Sequence, residues 1–175
     1  MLQTDKDTMK RHQPSGITRF TLVTESDQET IEVGFTLGTL LQEGDVVALV
    51  GELGSGKTWF TKGVARGLGV SPNTVITSPS FALVNDYPGR ATLFHMDIYR
   101  LESLSELLSA GIEEYLHSGG VAVLEWADRW PEILPDEALE VELTIVNDHS
   151  RKITLSGRHP RSSSLVQAMG KKYST

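Results

Sequence analysis

The chain has 175 residues, 39% hydrophobic and 22% charged, which is about one domain of ordinary globular composition and excludes a fibrous repeat or disorder throughout. It contains no cysteine, so disulfides, a disulfide-linked partner, thiol nucleophiles and cysteine-ligated metal centres are excluded. The 16 basic and 23 acidic residues are unevenly spread: residues 1–20 are net +2, residues 21–150 net −15 and residues 151–175 net +6. An acidic body of this kind repels a phosphate backbone and is poorly suited to grip nucleic acid by itself.

Residues 1–16 are polar, contain Pro14 and lack periodicity, so a flexible arm is expected. Charges in this stretch do not fit a signal peptide, and the longest apolar runs, such as Val46-Val47-Ala48-Leu49-Val50, are too short to span a membrane. A cytoplasmic protein with no membrane partner is expected.

Residues 17–23 predict a strand, and Ser26-Asp27-Gln28-Glu29 is a capping-box pattern opening a helix with apolar Ile31, Phe35, Leu37 and Leu41. Gly44-Asp45 ends it. Residues 45–50 are apolar without alternation, as in a central strand buried on both faces, and they feed a glycine-rich turn and a helix over 58–68. Residues 81–87 and 91–96 flank Pro88-Gly89-Arg90 and predict a hairpin. Ser103-Leu104-Ser105-Glu106 repeats the capping signal for a helical region reaching His117, and residues 121–124 predict another buried strand. Residues 138–146 and 152–155 alternate around Asn147-Asp148-His149-Ser150, a second hairpin. The sum is an α/β fold, a P-loop NTPase-like mixed sheet of about seven strands with flanking helices, parallel at its centre and antiparallel at its edges. The domain is expected over 17–157, followed by a basic, flexible tail over 158–175.

The sharpest chemical signal is Gly51-Glu52-Leu53-Gly54-Ser55-Gly56-Lys57-Thr58, a full G-x-x-x-x-G-K-[ST] motif between an apolar strand and a helix. The glycines let backbone N–H groups turn inward, Lys57 neutralises β- and γ-phosphates, and the Thr58 hydroxyl ligates Mg2+. A plain glycine turn is the competing reading, and the strand–loop–helix context disfavours it. Such a loop also needs a carboxylate at a strand end. Glu125 follows the apolar run at 121–124, and Asp97 ends the run at 92–96 with His95 and Tyr99 on its face in extended chain. Either carboxylate read alone is equally a helix cap or a solvated charge.

Thr77-Ser78-Pro79-Ser80 offers three hydroxyls before a strand and is either a γ-phosphate-sensing switch or a simple turn. Trp126 taken by itself is a core or surface aromatic. His95, with no second ligand at metal spacing, is expected as a hydrogen-bonding partner on the Asp97 face rather than a metal ligand.

The runs GELGSGKTWFTKG, TSPSFALVNDY, FHMDIYRL and LEWADRWPEILP, in this order and at these separations, resemble the TsaE (YjeE) family, the P-loop ATPases of bacterial tRNA threonylcarbamoyladenosine synthesis. The resemblance spans roughly residues 16–157 and leaves the tails outside. It implies ATP and Mg2+ binding at residues 51–58 and at Trp59, with a switch at Thr77, Ser78, Pro79 and Ser80. It also implies catalysis by Lys57, Asp97 and Glu125, a metal site of Thr58, Asp97 and Glu125, and Trp126 in the site. Asp27, Ser150 and Arg151 are implied to lie near the adenine. Two departures are visible: Trp59 stands where the family more often has a small hydroxyl residue, and Glu52 where aspartate is more usual.

The expected function is therefore Mg-dependent ATP hydrolysis, slow without partners, serving TsaB-like and TsaD-like proteins and reaching tRNA through their complex. A small-molecule P-loop kinase and a nucleotide-dependent binding switch are the alternatives. The first wants lid arginines, of which residues 21–150 hold four candidates: Arg66, Arg90, Arg100 and Arg129. A guanine switch wants an N-K-x-D segment, and none occurs.

Overall fold

A computed structural model describes residues 16–174. The arm expected over residues 1–16 lies outside the described residues except for Gly16. In chain order the elements are β1 (Thr18–Thr24), α1 (Asp27–Leu40), β2 (Val46–Val50), α2 (Lys57–Gly67), β3 (Val84–Tyr87), β4 (Leu93–Asp97), α3 (Leu104–Ser109), α4 (Ile112–Leu116), β5 (Val121–Glu125), two 3-10 turns (Ala127–Arg129 and Pro131–Ile133), β6 (Leu139–Ile145), β7 (Arg151–Gly157) and α5 (Pro160–Tyr173).

Seven strands form one sheet in the order β1-β7-β6-β2-β5-β4-β3. The central pairs β6–β2, β2–β5 and β5–β4 are parallel, while β1–β7, β7–β6 and β4–β3 are antiparallel. This is the α/β mixed sheet expected, with its parallel centre and antiparallel edges.

Two cores explain why β2 shows no alternation. Val47 and Leu49 pack with α1, α2 and α5 through Leu37, Phe60, Val64, Leu165 and Met169, whereas Val46 and Ala48 join Met96, Leu107, Ile112 and Leu124 on the opposite face. Side chains alternate sides along a strand, so a strand covered by both layers is apolar at every position.

Both predicted caps form. Ser26 Oγ accepts from Glu29 N at 3.2 Å and Ser103 Oγ accepts from Glu106 N at 3.1 Å, each satisfying a backbone donor of the first turn. The reciprocal glutamates bond one residue before the cap, to Glu25 N and Glu102 N.

Three expectations need correction. The tail over 158–175 is not a loose basic extension: α5 occupies most of it and buries Ser162, Leu165, Val166 and Met169. Its apolar residues recur at the helical spacing of one face, and Arg161 ties the helix to Asp45 through Nε–Oδ1 at 2.9 Å and Nη2–Oδ2 at 2.5 Å. The strand expected from residue 81 begins at Val84, because Leu83 takes a left-handed φ of 63° and donates its N–H to Pro79 O, closing a turn. The helix expected to run to His117 is broken at Gly111, whose φ of 71° separates α3 from α4.

Helices α1 and α2 meet backbone to backbone. A Cβ added to Gly63 would lie 2.0 Å from Ile31 O, and one added to Gly34 2.2 Å from Phe60 O. Glycine at these positions is what lets α2, and the loop before it, sit so close to α1.

Candidate functional site

The loop over residues 51–58 leaves the carboxyl end of β2 and enters α2 at Lys57. Gly56, the residue before the helix, has φ 102°, a left-handed conformation that side chains rarely adopt. At Gly51 the constraint is space, since an added Cβ would fall 2.5 Å from Leu143 O and from Ser55 Oγ. The first turn of α2 carries no acidic residue, so nothing on the helix itself offsets the positive end of its dipole, a disposition that favours an anion.

Lys57 is only 5% exposed. Its ammonium donates to Gly51 O at 2.6 Å and to Glu52 O at 3.0 Å, and lies 3.8 Å from the centre of the Trp126 ring. Burial pulls its pKa below the ordinary lysine value, opposed by the nearby carboxylates of Glu125, Asp97, Asp128 and Glu52.

Parallel pairing of β4 with β5 sets Asp97 beside Glu125 at the strand ends. Asp97 accepts from Ser78 Oγ through Oδ2 and from Tyr99 N at 2.9 Å through Oδ1. Glu125 Oε1 lies 3.1 Å from Thr58 Oγ1 and 2.7 Å from His95 Nε2. His95, expected as a hydrogen-bonding partner on the Asp97 face, thus bonds Glu125 on the next strand. Trp126 follows with a left-handed φ of 66°, and its ring packs tilted against Tyr99, with centres 4.7 Å apart. A bulky residue held there is costly unless its surroundings impose it, and such outliers cluster at functional sites.

One cleft of about 340 Å³ gathers Leu53, Gly54, Gly56, Lys57, Thr58, Trp59, Ser78, Ser80, Asp97, Glu125 and Trp126. Glu52 contributes its carbonyl to Lys57. The Ser55 side chain is buried with no hydrogen-bond partner among the described residues. Thr77 is exposed and Pro79 buried, both outside the cleft lining. Tyr99 and Arg100 also line it, and of the four candidate lid arginines Arg66, Arg90, Arg100 and Arg129 it is Arg100 that reaches this cleft. Arg100 rests on the exposed Phe81 ring, 4.4 Å from its centre.

Of the residues implied to lie near the adenine, Asp27, Ser150 and Arg151, none is in the lining of this cleft. Asp27 lines a separate hollow with Glu25, Ser26, Gln28, Asp148 and His149. Ser150 Oγ donates to Glu25 Oε2 at 2.5 Å. Arg151 braces the glycine loop, donating to Ser55 O at 3.1 Å and Gly54 O at 3.2 Å.

Within the cleft, the Thr58 hydroxyl and the Asp97 and Glu125 carboxylates are oxygen donors that suit a hard cation. Among the described residues no group of three or more His, Cys, Asp or Glu forms a complete cage. Mg2+ is commonly bound in this incomplete way, through one or two carboxylates plus substrate phosphates. No helix among the described residues is long and apolar enough to cross a membrane.

A family model described as "Threonylcarbamoyl adenosine biosynthesis protein TsaE" matches residues 24–153. A Treponema pallidum (strain Nichols) protein named "tRNA threonylcarbamoyladenosine biosynthesis protein TsaE" is 44% identical over 134 residues, covering 77% of this chain and 98% of the relative. A Bacillus subtilis (strain 168) protein of the same name is 40% identical over 134 residues, covering 76% and 82%. Among solved structures, that of Bacillus subtilis YdiB superposes with TM-score 0.74 at 33% identity, over 90% of this chain and 97% of that one. The glycine loop, the paired carboxylates and Trp126 all fall within the matched stretch, and on these similarities the chain belongs to the TsaE family.

Proposed function

We propose that this protein binds and hydrolyses ATP with Mg2+, and that it does so within the tRNA threonylcarbamoyladenosine machinery, beside TsaB-like and TsaD-like partners. The observation that carries the reading is the convergence of Lys57, Thr58, Asp97 and Glu125 on one cleft where parallel strands β2, β4 and β5 end. The names of the relatives support its place in tRNA modification.

In this reading the loop amides and the amino end of α2 receive the phosphates, and Lys57 gives up its bonds to Gly51 O and Glu52 O to meet the β- and γ-phosphate oxygens. Thr58 with Asp97 and Glu125 holds Mg2+, which would neutralise charge developing on the phosphoryl group. Asp97, beside the metal, would also help to place the attacking water. Ser78 and Ser80 face the same cleft, with Ser78 bonded to Asp97, which supports a switch that responds to the γ-phosphate. The adenine end of the nucleotide extends toward Asp27, Ser150 and Arg151.

Arg100 is the arginine of the cleft lining, and it is parked on Phe81. Turnover by the protein alone is accordingly slow, and partners complete the site. With the body at net −15, tRNA is reached through those partners.

The test is ATP turnover and nucleotide affinity of the purified chain, with and without the TsaB-like and TsaD-like pair. Tight Mg-dependent ATP binding and partner-accelerated hydrolysis support the reading. Absence of nucleotide binding refutes it.

A further inference from the structure

His95 is fully buried, yet the nucleotide-binding reading gives it no task. The β4–β5 register sets His95 beside Val123 and Asp97 beside Glu125. The imidazole therefore reaches diagonally across the strands, and its Nε2 stops 2.7 Å from Glu125 Oε1.

The ring's other nitrogen, Nδ1, is buried with no hydrogen-bond partner among the described residues. A proton there would be a donor sealed away from any acceptor, the costlier kind of unpaired group. The proton thus belongs on Nε2, and His95 donates to the carboxylate. Thr58 donates its hydroxyl proton to the same oxygen at 3.1 Å. With that proton committed to Glu125, the lone pairs of Thr58 Oγ1 are free to face a cation. Glu125 Oε2 is left for a further partner.

The terminal torsion of a glutamate is intrinsically broad, so this arrangement needs an anchor. His95 supplies one from the middle of the sheet. We propose that His95 is a positioning residue, whose Nε2–H locks Glu125 in the orientation that makes Thr58 donate to it and presents the Thr58 oxygen to Mg2+. The inference rests on the nucleotide reading above.

The test uses the full chain in complex with its partner pair and measures kcat, ATP affinity and Mg2+ dependence for three variants. His95→Leu removes the donor and keeps an apolar filling. His95→Asn is too short to reach Glu125, and His95→Gln returns an amide N–H near the Nε2 position. Removing an orienting partner of a metal-site residue typically costs roughly 10- to 100-fold in activity or metal affinity. His95→Leu and His95→Asn are expected to lower kcat or raise the Mg2+ requirement by that factor, with ATP affinity held within about threefold. His95→Gln is expected to recover most of the loss, which a purely space-filling role would not predict. In the Glu125→Gln background, His95→Leu should add less than about twofold, because the two residues act as one unit.

Should His95→Leu fail to fold, the contrast between Asn and Gln decides. Equal activity of the Asn and Gln variants overturns the proposal, as does wild-type turnover in His95→Leu or a fully additive double variant. Wild-type protein that neither binds nor hydrolyses ATP in the complex would instead refute the nucleotide reading, and this inference with it.

Discussion

Asp97 and Glu125 stand side by side at the ends of parallel strands, paired residue to residue, yet different parts of the chain hold them. Ser78 and the Tyr99 amide hold Asp97. Thr58 and His95 hold Glu125. Each carboxylate can therefore be altered while its neighbour keeps its own partners.

Glu125→Gln and Asp97→Asn preserve shape and most hydrogen-bonding capacity while removing a charge. Each is expected to lower partner-stimulated hydrolysis by roughly 100-fold or more, the scale of lost acid–base and metal assistance. ATP affinity and thermal midpoint should change little by comparison. Steady-state kinetics beside a melting curve checks this; a variant that turns over at the wild-type rate removes its residue from the site.

Lys57→Ala should abolish tight ATP binding in a folded protein, because it deletes the cation placed to meet the phosphates. The lowered pKa of Lys57 gives a second, pH-dependent expectation. ATP prefers the protonated amine, so affinity is full below the lowered pKa and falls as pH rises through it, by up to about tenfold per pH unit. The fall begins at a lower pH than an ordinary lysine would give. For folding the sign reverses: burial penalises the charged form, so this residue's contribution to stability rises with pH between its folded and unfolded values. Nucleotide titrations at increasing pH, with Lys57→Arg as a variant whose charge does not titrate, measure the binding effect. Identical pH slopes for the two proteins would contradict it.

Gly63→Ala puts a methyl group into the backbone of α1, 2.0 Å from Ile31 O. Overpacking of this kind typically costs about 1–3 kcal/mol, against a gain of about 1 kcal/mol in helix propensity for an exposed glycine. Net destabilisation is expected in urea unfolding. Any stabilisation would show that the two helices separate without penalty.

The C-terminal helix is expected to be part of the folding unit. Ending the chain near residue 157 removes Leu165, Val166 and Met169 from the main core, where losing even one large buried side chain costs about 2–5 kcal/mol. Arg161→Ala, which strands Asp45 at 9% exposure, should also destabilise, and Arg161→Lys should restore only part because the two-pronged contact needs a guanidinium. A truncated protein melting like the full chain would contradict this. A test of tRNA contact through the basic terminus is therefore better made with Lys171→Ala and Lys172→Ala, both exposed.

The contrast between what was and was not legible in the sequence follows the range of the interactions. The glycine loop is a local device, eight consecutive residues whose identities carry their own geometry, and the caps at Ser26 and Ser103 are local too. Buried strands announced themselves through composition, which allowed Asp97 and Glu125 to be located at strand ends. Strand order was not local, and it decides that His95 meets Glu125. Helix α5 is hard to read from sequence because its few apolar residues sit among serines and lysines, and the surface of β1, β7 and α1 is what gives them something to bury against. Gly34 and Gly63 weaken their helices in isolation and make sense only where two helix backbones touch.

The central claim is that an ATP-consuming step run by this chain serves threonylcarbamoyl transfer. The most direct measurement is the modified adenosine formed on tRNA by the reconstituted transfer system with wild-type protein, with Lys57→Ala and with the protein left out. Sustained product formation with wild type, and its loss both with Lys57→Ala and without the protein, is the predicted result. Equal, sustained modification in all three reactions would contradict the account.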